Sequence, residues 1–238
     1  MTYTGEAITR VVASPVLAGR WLAGAGGRVD SQSMPAEALL ERHGAWVAAQ
    51  MTPARWDHSL GVMRIMGGLA PLYGLDPTAA AAAGLLHDVA KDYPAAAHLD
   101  LAAALGVALD DPCERHPVYL HGLVGAALLR DRGLCADEDV LDAIAAHSYN
   151  RRLRPSSELL GWCLRCADVL APVQPWRGME RLSEHVYNGD LAVARRLLCH
   201  WVVEFYQANA LPVHPLLAVT ERELRPTACL GAAGWARW

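Results

Sequence analysis

The sequence lacks the basic excess that non-specific binding to a phosphate backbone requires: 21 Lys and Arg stand against 25 Asp and Glu, a net charge of −4 over 238 residues, with a pI near 6.2. Nucleic acid is disfavoured as the main partner, although a local basic patch would still serve a small anionic substrate. A disulfide framework is missing too, since the six cysteines are scattered, and the N-terminus shows no charged start, apolar core and small-residue cleavage site of a secretory signal. Reduced thiols and a cytoplasmic location are expected. The most apolar early stretch, AITRVVASPVLAGRWLAGAG, is interrupted by Arg10, Pro15 and Arg20, which are costly at bilayer depth, so no membrane span is predicted. Strand-like alternation, internal repeats and low-complexity blocks are all absent. There is no HExxH, no P-loop and no zinc-deaminase signature. GAGGR at 24–28 follows no strand, and Cys163 and Cys166 have no second CxxC with which to hold zinc.

What is present is a globular composition, 53% hydrophobic and 19% charged, arranged as successive helices. Residues 1–34 read as an extension rich in glycine and small residues, and 35–238 as one all-α domain. Start and stop signals recur at helical intervals. EALLERHGAWVAAQ forms a first helix. Pro53 opens a second that runs to Gly74, with Pro71 ending or kinking its last turn. Asp76 and Pro77 open a third that continues through HDVAKD to Tyr93-Pro94. Further helices cover AAHLDLAAALG, HPVYLHGLVGAALLRDRG, DEDVLDAIAAH, PSSELLGWCLRCADVLAP (capped by Ser156 or Ser157), GDLAVARRLLCHWVVEFYQANA and HPLLAVTERELR.

Ten histidines are many for this length, and four of them, His58, His87, His121 and His147, fall one to a helix. Asp88 follows His87 directly, and Asp168 sits in the apolar run CLRCADVLA. A histidine among apolar neighbours must satisfy its ring nitrogens, and one per helix across four helices makes a shared metal an economical solution. His and Asp ligands without thiolate suit iron, manganese, cobalt or zinc in an open site, and six ligands with Asp88 in the middle are enough for two metals bridged by one carboxylate. His43, His98, His185, His200 and His214 have no comparable setting and read as surface or packing residues, and His116 as a cap or supporting residue.

RWDHSLGV, AGLLHDVAK, YLHGLVGAALL, AIAAH and LRCADVLAP, in that order, resemble the motifs of the HD-domain superfamily and, within it, the YqeK family of symmetrical dinucleoside tetraphosphate hydrolases. The resemblance spans roughly residues 38–219. It implies a helical bundle with a metal site in its core: one metal on His58, His87, Asp88 and Asp168, a second on His121 and His147, and Asp88 bridging. It also implies iron, and a role for Lys91 of the HDxxK motif in neutralising phosphate charge. Two departures stand out. Ser148 replaces the threonine common after the fourth histidine, and Ala171 and Gln174 replace a Glu and an Arg after the closing Asp.

A metal pair would lower the pKa of a water and set it in line with phosphorus, giving hydrolysis of a dinucleoside tetraphosphate to two nucleoside diphosphates. Arg55, one turn before His58, and Arg151, Arg152 and Arg154 in YNRRLR are the candidate phosphate ligands. An exposed helical face would allow a homodimer. The competing readings are a hydrolase of another phosphoester, a mixed-valent di-iron oxygenase on the same ligands, and a non-catalytic nucleotide-binding module.

Overall fold

The computed structural model describes residues 34–171 and 178–224. The expected extension over 1–34, the GAGGR run, Gln174 and Cys229 lie outside them, apart from Met34 at the start of the first helix. Every described element is helical: α1 (Met34–Ala49), α2 (Pro53–Tyr73), α3 (Pro77–Leu86), α4 (Ala95–Ala104), α5 (Asp111–Arg115), a 3₁₀ turn (Pro117–Tyr119), α6 (Leu120–Asp131), α7 (Glu138–Ala146), α8 (Glu158–Leu170), α9 (Met179–Tyr187), α10 (Leu191–Ala208) and α11 (Pro215–Leu224). The all-α expectation holds. None of these helices is long and apolar enough to cross a membrane.

The organising element is α3. Asp76 caps it by accepting the Ala79 amide at 2.7 Å, worth about 1 kcal/mol, and Pro77 occupies its first turn. Its sequence, PTAAAAAGLL, carries almost no side-chain bulk, so α1, α2, α7 and α8 all pack directly on it. Residues Ala80 to Leu86 are buried without exception. A Cβ on Gly84 would stand 2.6 Å from Met63 Cα and 2.8 Å from Met63 N, so the α2–α3 contact is made backbone to backbone and only glycine permits it.

One boundary is as expected and one differs. α2 continues through Pro71 to Tyr73 and ends on Gly74 in the left-handed region, φ 65°. The carbonyl that Pro71 strips of its bond belongs to exposed Gly67, where nothing crowds the backbone. Conversely, α3 stops at Leu86, and residues 87–93 continue as i→i+3 turns, with Val89, Lys91 and Tyr93 amides bonded to the Leu86, Asp88 and Ala90 carbonyls. This tighter winding ends the helix at the HD pair. Ser157 precedes α8 but does not cap it; its hydroxyl donates to Asp142 and to the Arg154 carbonyl instead.

Candidate metal centre

His87 and His147 each occupy the position immediately after the last residue of a helix, α3 and α7 respectively. Carbonyls in a final helical turn lack intrahelical partners. Each ring takes one: His87 Nδ1–H donates to Gly84 O at 2.9 Å, and His147 Nδ1–H to Ile144 O at 2.6 Å. His58, in α2, is anchored the same way at longer range, Nδ1–H donating to Ala171 O at 2.8 Å. With Nδ1 carrying the proton, Nε2 of each ring presents a lone pair inward, the tautomer a metal ligand needs.

The inward atoms converge. His58 Nε2 lies 2.9 Å from Asp168 Oδ1. His87 Nε2 lies 3.5 Å from both Asp168 Oδ1 and Asp88 Oδ2, and makes no hydrogen bond although it is fully buried. On the other side of Asp88, Oδ1 is 3.4 Å from His121 Nε2 and 3.5 Å from His147 Nε2, and those two nitrogens are 2.9 Å apart. The residues therefore fall into two groups that share Asp88: His58, His87 and Asp88, and Asp88, His121 and His147. An orphaned buried imidazole nitrogen aimed at two carboxylates, and two imidazole nitrogens at the spacing of neighbouring ligands, are what a pair of divalent cations would satisfy.

The electrostatics agree. Burial opposes ionisation of Asp88 and Asp168, yet the surrounding imidazoles hold both carboxyls well below the usual range, helped by Lys91 at Asp88. Burial also opposes charging of His87, but Asp88 and Asp168 outweigh it and raise its pKa. In the metal-free chain this proton adds stability fully below the ordinary histidine pKa of about 6.5, and the gain fades as pH rises through the raised value. It also competes with metal. Metal uptake near neutral pH should then release protons, and affinity should rise with pH. Calorimetric titration in two buffers of different ionisation enthalpy reads this directly, and equal heats would sink it.

Arg55 is brought to the site, its Nη1 donating to Asp88 Oδ2 at 2.8 Å. Lys91 Nζ stands 3.2 Å from His121 Nε2, and Ser148 Oγ 3.0 Å from the same atom. Arg55 and Asp168 are about a third exposed, 29% and 32%, while the His87 side chain is wholly covered, so the mouth opens on the Arg55 and Asp168 side. The loop arginines are placed elsewhere. Arg151 pairs with Asp142 at 2.9 Å, Arg152 with Glu223 at 3.1 Å and Arg154 with Asp139 at 3.1 Å. Arg151 and Arg154 line a separate cavity of about 370 Å³. Its walls include Leu123 and Ala145, two positions from His121 and His147, hence the opposite face of the α6–α7 pair.

Two supporting residues escaped the sequence reading. Gly122 lets α6 meet α7: a Cβ there would lie 2.7 Å from Ile144 O and 3.1 Å from His147 Nδ1. Gly122→Ala should wedge apart the bond that orients His147, costing about 1–3 kcal/mol and weakening metal binding at the His121 and His147 side, as metal analysis and thermal unfolding would show. Unchanged metal content and an unchanged midpoint would refute this. Arg165 is buried in α8, stacked 4.3 Å from the Tyr149 ring centre and 4.6 Å from that of Trp162. Its Nη2 donates to Ala146 O at 2.5 Å, the carbonyl just before His147. An arginine three positions before Asp168 in an apolar run was the available signal.

Comparison with known proteins places this geometry among relatives. The HD domain family matches residues 55–173. A symmetrical bis(5'-nucleosyl)-tetraphosphatase of Bacillus subtilis is 31% identical over 59% of this chain and 73% of its own. One from Halalkalibacterium halodurans is 31% identical over 75% of this chain and 92% of its own. A solved structure described as a predicted HD superfamily hydrolase involved in NAD metabolism, from Clostridium acetobutylicum, superposes with a TM-score of 0.69 at 28% identity, covering 79% of this chain and 95% of that one.

Proposed function

The chain belongs to the HD-domain family of metal-dependent phosphohydrolases, and on that footing we propose that it cleaves dinucleoside tetraphosphates symmetrically, one water and one substrate giving two nucleoside diphosphates. The observation that carries the reading is Asp88, a single buried carboxylate between two pairs of histidines. His58, His87, Asp88 and Asp168 would hold one divalent cation and Asp88, His121 and His147 the other. We take the pair to be di-iron, with manganese, cobalt or zinc able to substitute. Bound there, such a pair supplies a water of lowered pKa and neutralises charge growing on the phosphoryl oxygens.

The chain's own groups do the rest. Arg55 sits at the mouth beside Asp88, where its planar guanidinium can leave the carboxylate to grip a phosphate through two parallel hydrogen bonds. Lys91, the only lysine in the sequence, brings a second cation within hydrogen-bond reach of His121. Ser148 Oγ, beside both His121 and His147, keeps the hydroxyl that the usual threonine would offer. Arg151, Arg152 and Arg154 would reach the polyphosphate only by leaving their present carboxylates.

The test is product analysis after incubating iron- or manganese-loaded protein with diadenosine tetraphosphate, beside a mononucleotide panel. ADP as sole product is expected. ATP with AMP would overturn the symmetrical assignment. No turnover with metal bound would overturn the substrate, and oxygen uptake would overturn the reaction class.

A further inference from the structure

A second group of metal-ligating side chains lies away from the HD centre. Asp110, Cys113 and His214 bring a carboxylate oxygen, a thiol sulfur and an imidazole nitrogen within 4.8 Å of one another. They come from two segments about a hundred residues apart: Asp110 and Cys113 at the start of α5, and His214 just before α11. Asp110 Oδ1 accepts the Cys113 amide at 3.0 Å, which leaves Oδ2 to face His214 Nε2 at 3.2 Å. Cys113 Sγ stands 4.0 Å from the same nitrogen. Cys113 and His214 are buried, whereas Asp110 reaches solvent.

We propose that Asp110, Cys113 and His214 form a separate site for a thiophilic divalent cation of the zinc class. Bond lengths of about 2.0 Å to nitrogen or oxygen and about 2.3 Å to sulfur, at tetrahedral angles, put neighbouring ligand atoms roughly 3.3 to 3.6 Å apart. The two separations of 3.2 and 4.0 Å bracket that range, so small side-chain shifts complete the geometry. Magnesium and calcium prefer all-oxygen shells and fit this donor set poorly. A cavity of about 220 Å³ lined by His116, Tyr119, Pro212 and His214 opens beside the imidazole, and Asp110 faces solvent, from which a water can supply the fourth ligand.

The arrangement does not suit a nucleophilic cysteine. Burial and the neighbouring Asp110 push the Cys113 thiol up to about 12, so it stays protonated until a metal displaces the proton. The Leu216 amide donates to His214 Nδ1 at 3.1 Å, which now places the ring proton on Nε2, shared with Asp110. On metal binding that proton moves to Nδ1 and the Leu216 amide, in the first turn of α11, gives up its contact; the thiol proton is the one released to solvent. The bound cation would clip α11 to the segment that leads into α6, the helix of His121. Tyr119 already makes a parallel tie, its hydroxyl donating to Pro212 O.

Cobalt(II) titration of the metal-free full-length chain separates this site from the HD centre, whose ligands include no sulfur. A thiolate-to-cobalt charge-transfer band in the near ultraviolet is expected, with an amplitude of one cobalt per chain beyond those the HD centre takes up. It should persist in Asp88→Ala and vanish in Cys113→Ser. Absence of the band once both HD positions are filled would overturn the proposal, as would the same band in Cys113→Ser. Should that variant fail to fold, Asp110→Asn serves. Asparagine keeps the cap of α5, so the fold survives, and cobalt affinity at the band should fall at least 10-fold; unchanged affinity overturns the site.

Discussion

Asp88→Ala is expected to lower turnover of the loaded enzyme on the order of 10³-fold, about 4 kcal/mol of lost transition-state stabilisation, and to leave fewer than two metals per chain. Asp88 serves both halves of the centre, with Oδ1 near His121 and His147 and Oδ2 near His87 and Arg55. Among the described residues no second carboxylate reaches both histidine pairs; Asp168 faces His58 and His87. The carboxyl is held ionised, so the loss is of charge as well as shape. Asp88→Asn, nearly isosteric, should fall almost as far. Asp92→Asn is the control: Asp92 accepts the Thr52 amide and hydroxyl, each at 2.8 Å, and lies 3.6 Å from Arg55 Nε, so its loss should cost no more than about 10-fold. Metal content by mass spectrometry beside steady-state turnover checks all three. Full activity with two metals bound in Asp88→Ala would remove the assignment.

Gly84→Ala is the largest effect expected on stability. Alanine is the better helix former by about 1 kcal/mol, and in an open helix the change would stabilise. At position 84 the new methyl would meet backbone, Met63 Cα and N at 2.6 and 2.8 Å and Val62 C at 3.1 Å, with no side chain able to swing away. α2 and α3 must part. Overpacking outweighs the propensity gain and leaves a net loss of about 2–3 kcal/mol, a thermal midpoint lower by about 5–10 °C. Because α2 carries His58 and Gly84 O anchors His87, metal affinity should fall too. Gly68→Ala, where nothing lies within 4 Å, should be neutral or slightly stabilising, and calorimetry of the pair isolates the contact. Equal midpoints would mean that the helices yield more readily than this packing allows.

Both substitutions show where the sequence could be read and where it could not. The helices and the six converging side chains were legible because proline and aspartate start signals and isolated polar residues in apolar runs are local patterns. Distance between segments is not local. That Gly84 touches Met63, that Arg165 reaches the end of α7, and that the arginines of YNRRLR find Asp139, Asp142 and Glu223 before any phosphate all depend on how helices cross. The early end of α3 was missed because alanine-rich propensity argues for continuing, while the i→i+3 turns that position His87 and Asp88 leave no mark in composition. His214 read as a packing residue because its partners, Asp110 and Cys113, lie 104 and 101 residues away.

The closing turn after Asp168 has a consequence for how such enzymes diverge. Position 171 supports His58 through its carbonyl, a group every amino acid possesses. The side chain there is therefore exempt from the demands of metal binding, and alanine at this position anchors the ligand as well as any other residue would. Support for the ligand is carried by the main chain at this point, so the side chain at position 171 can change without unseating His58.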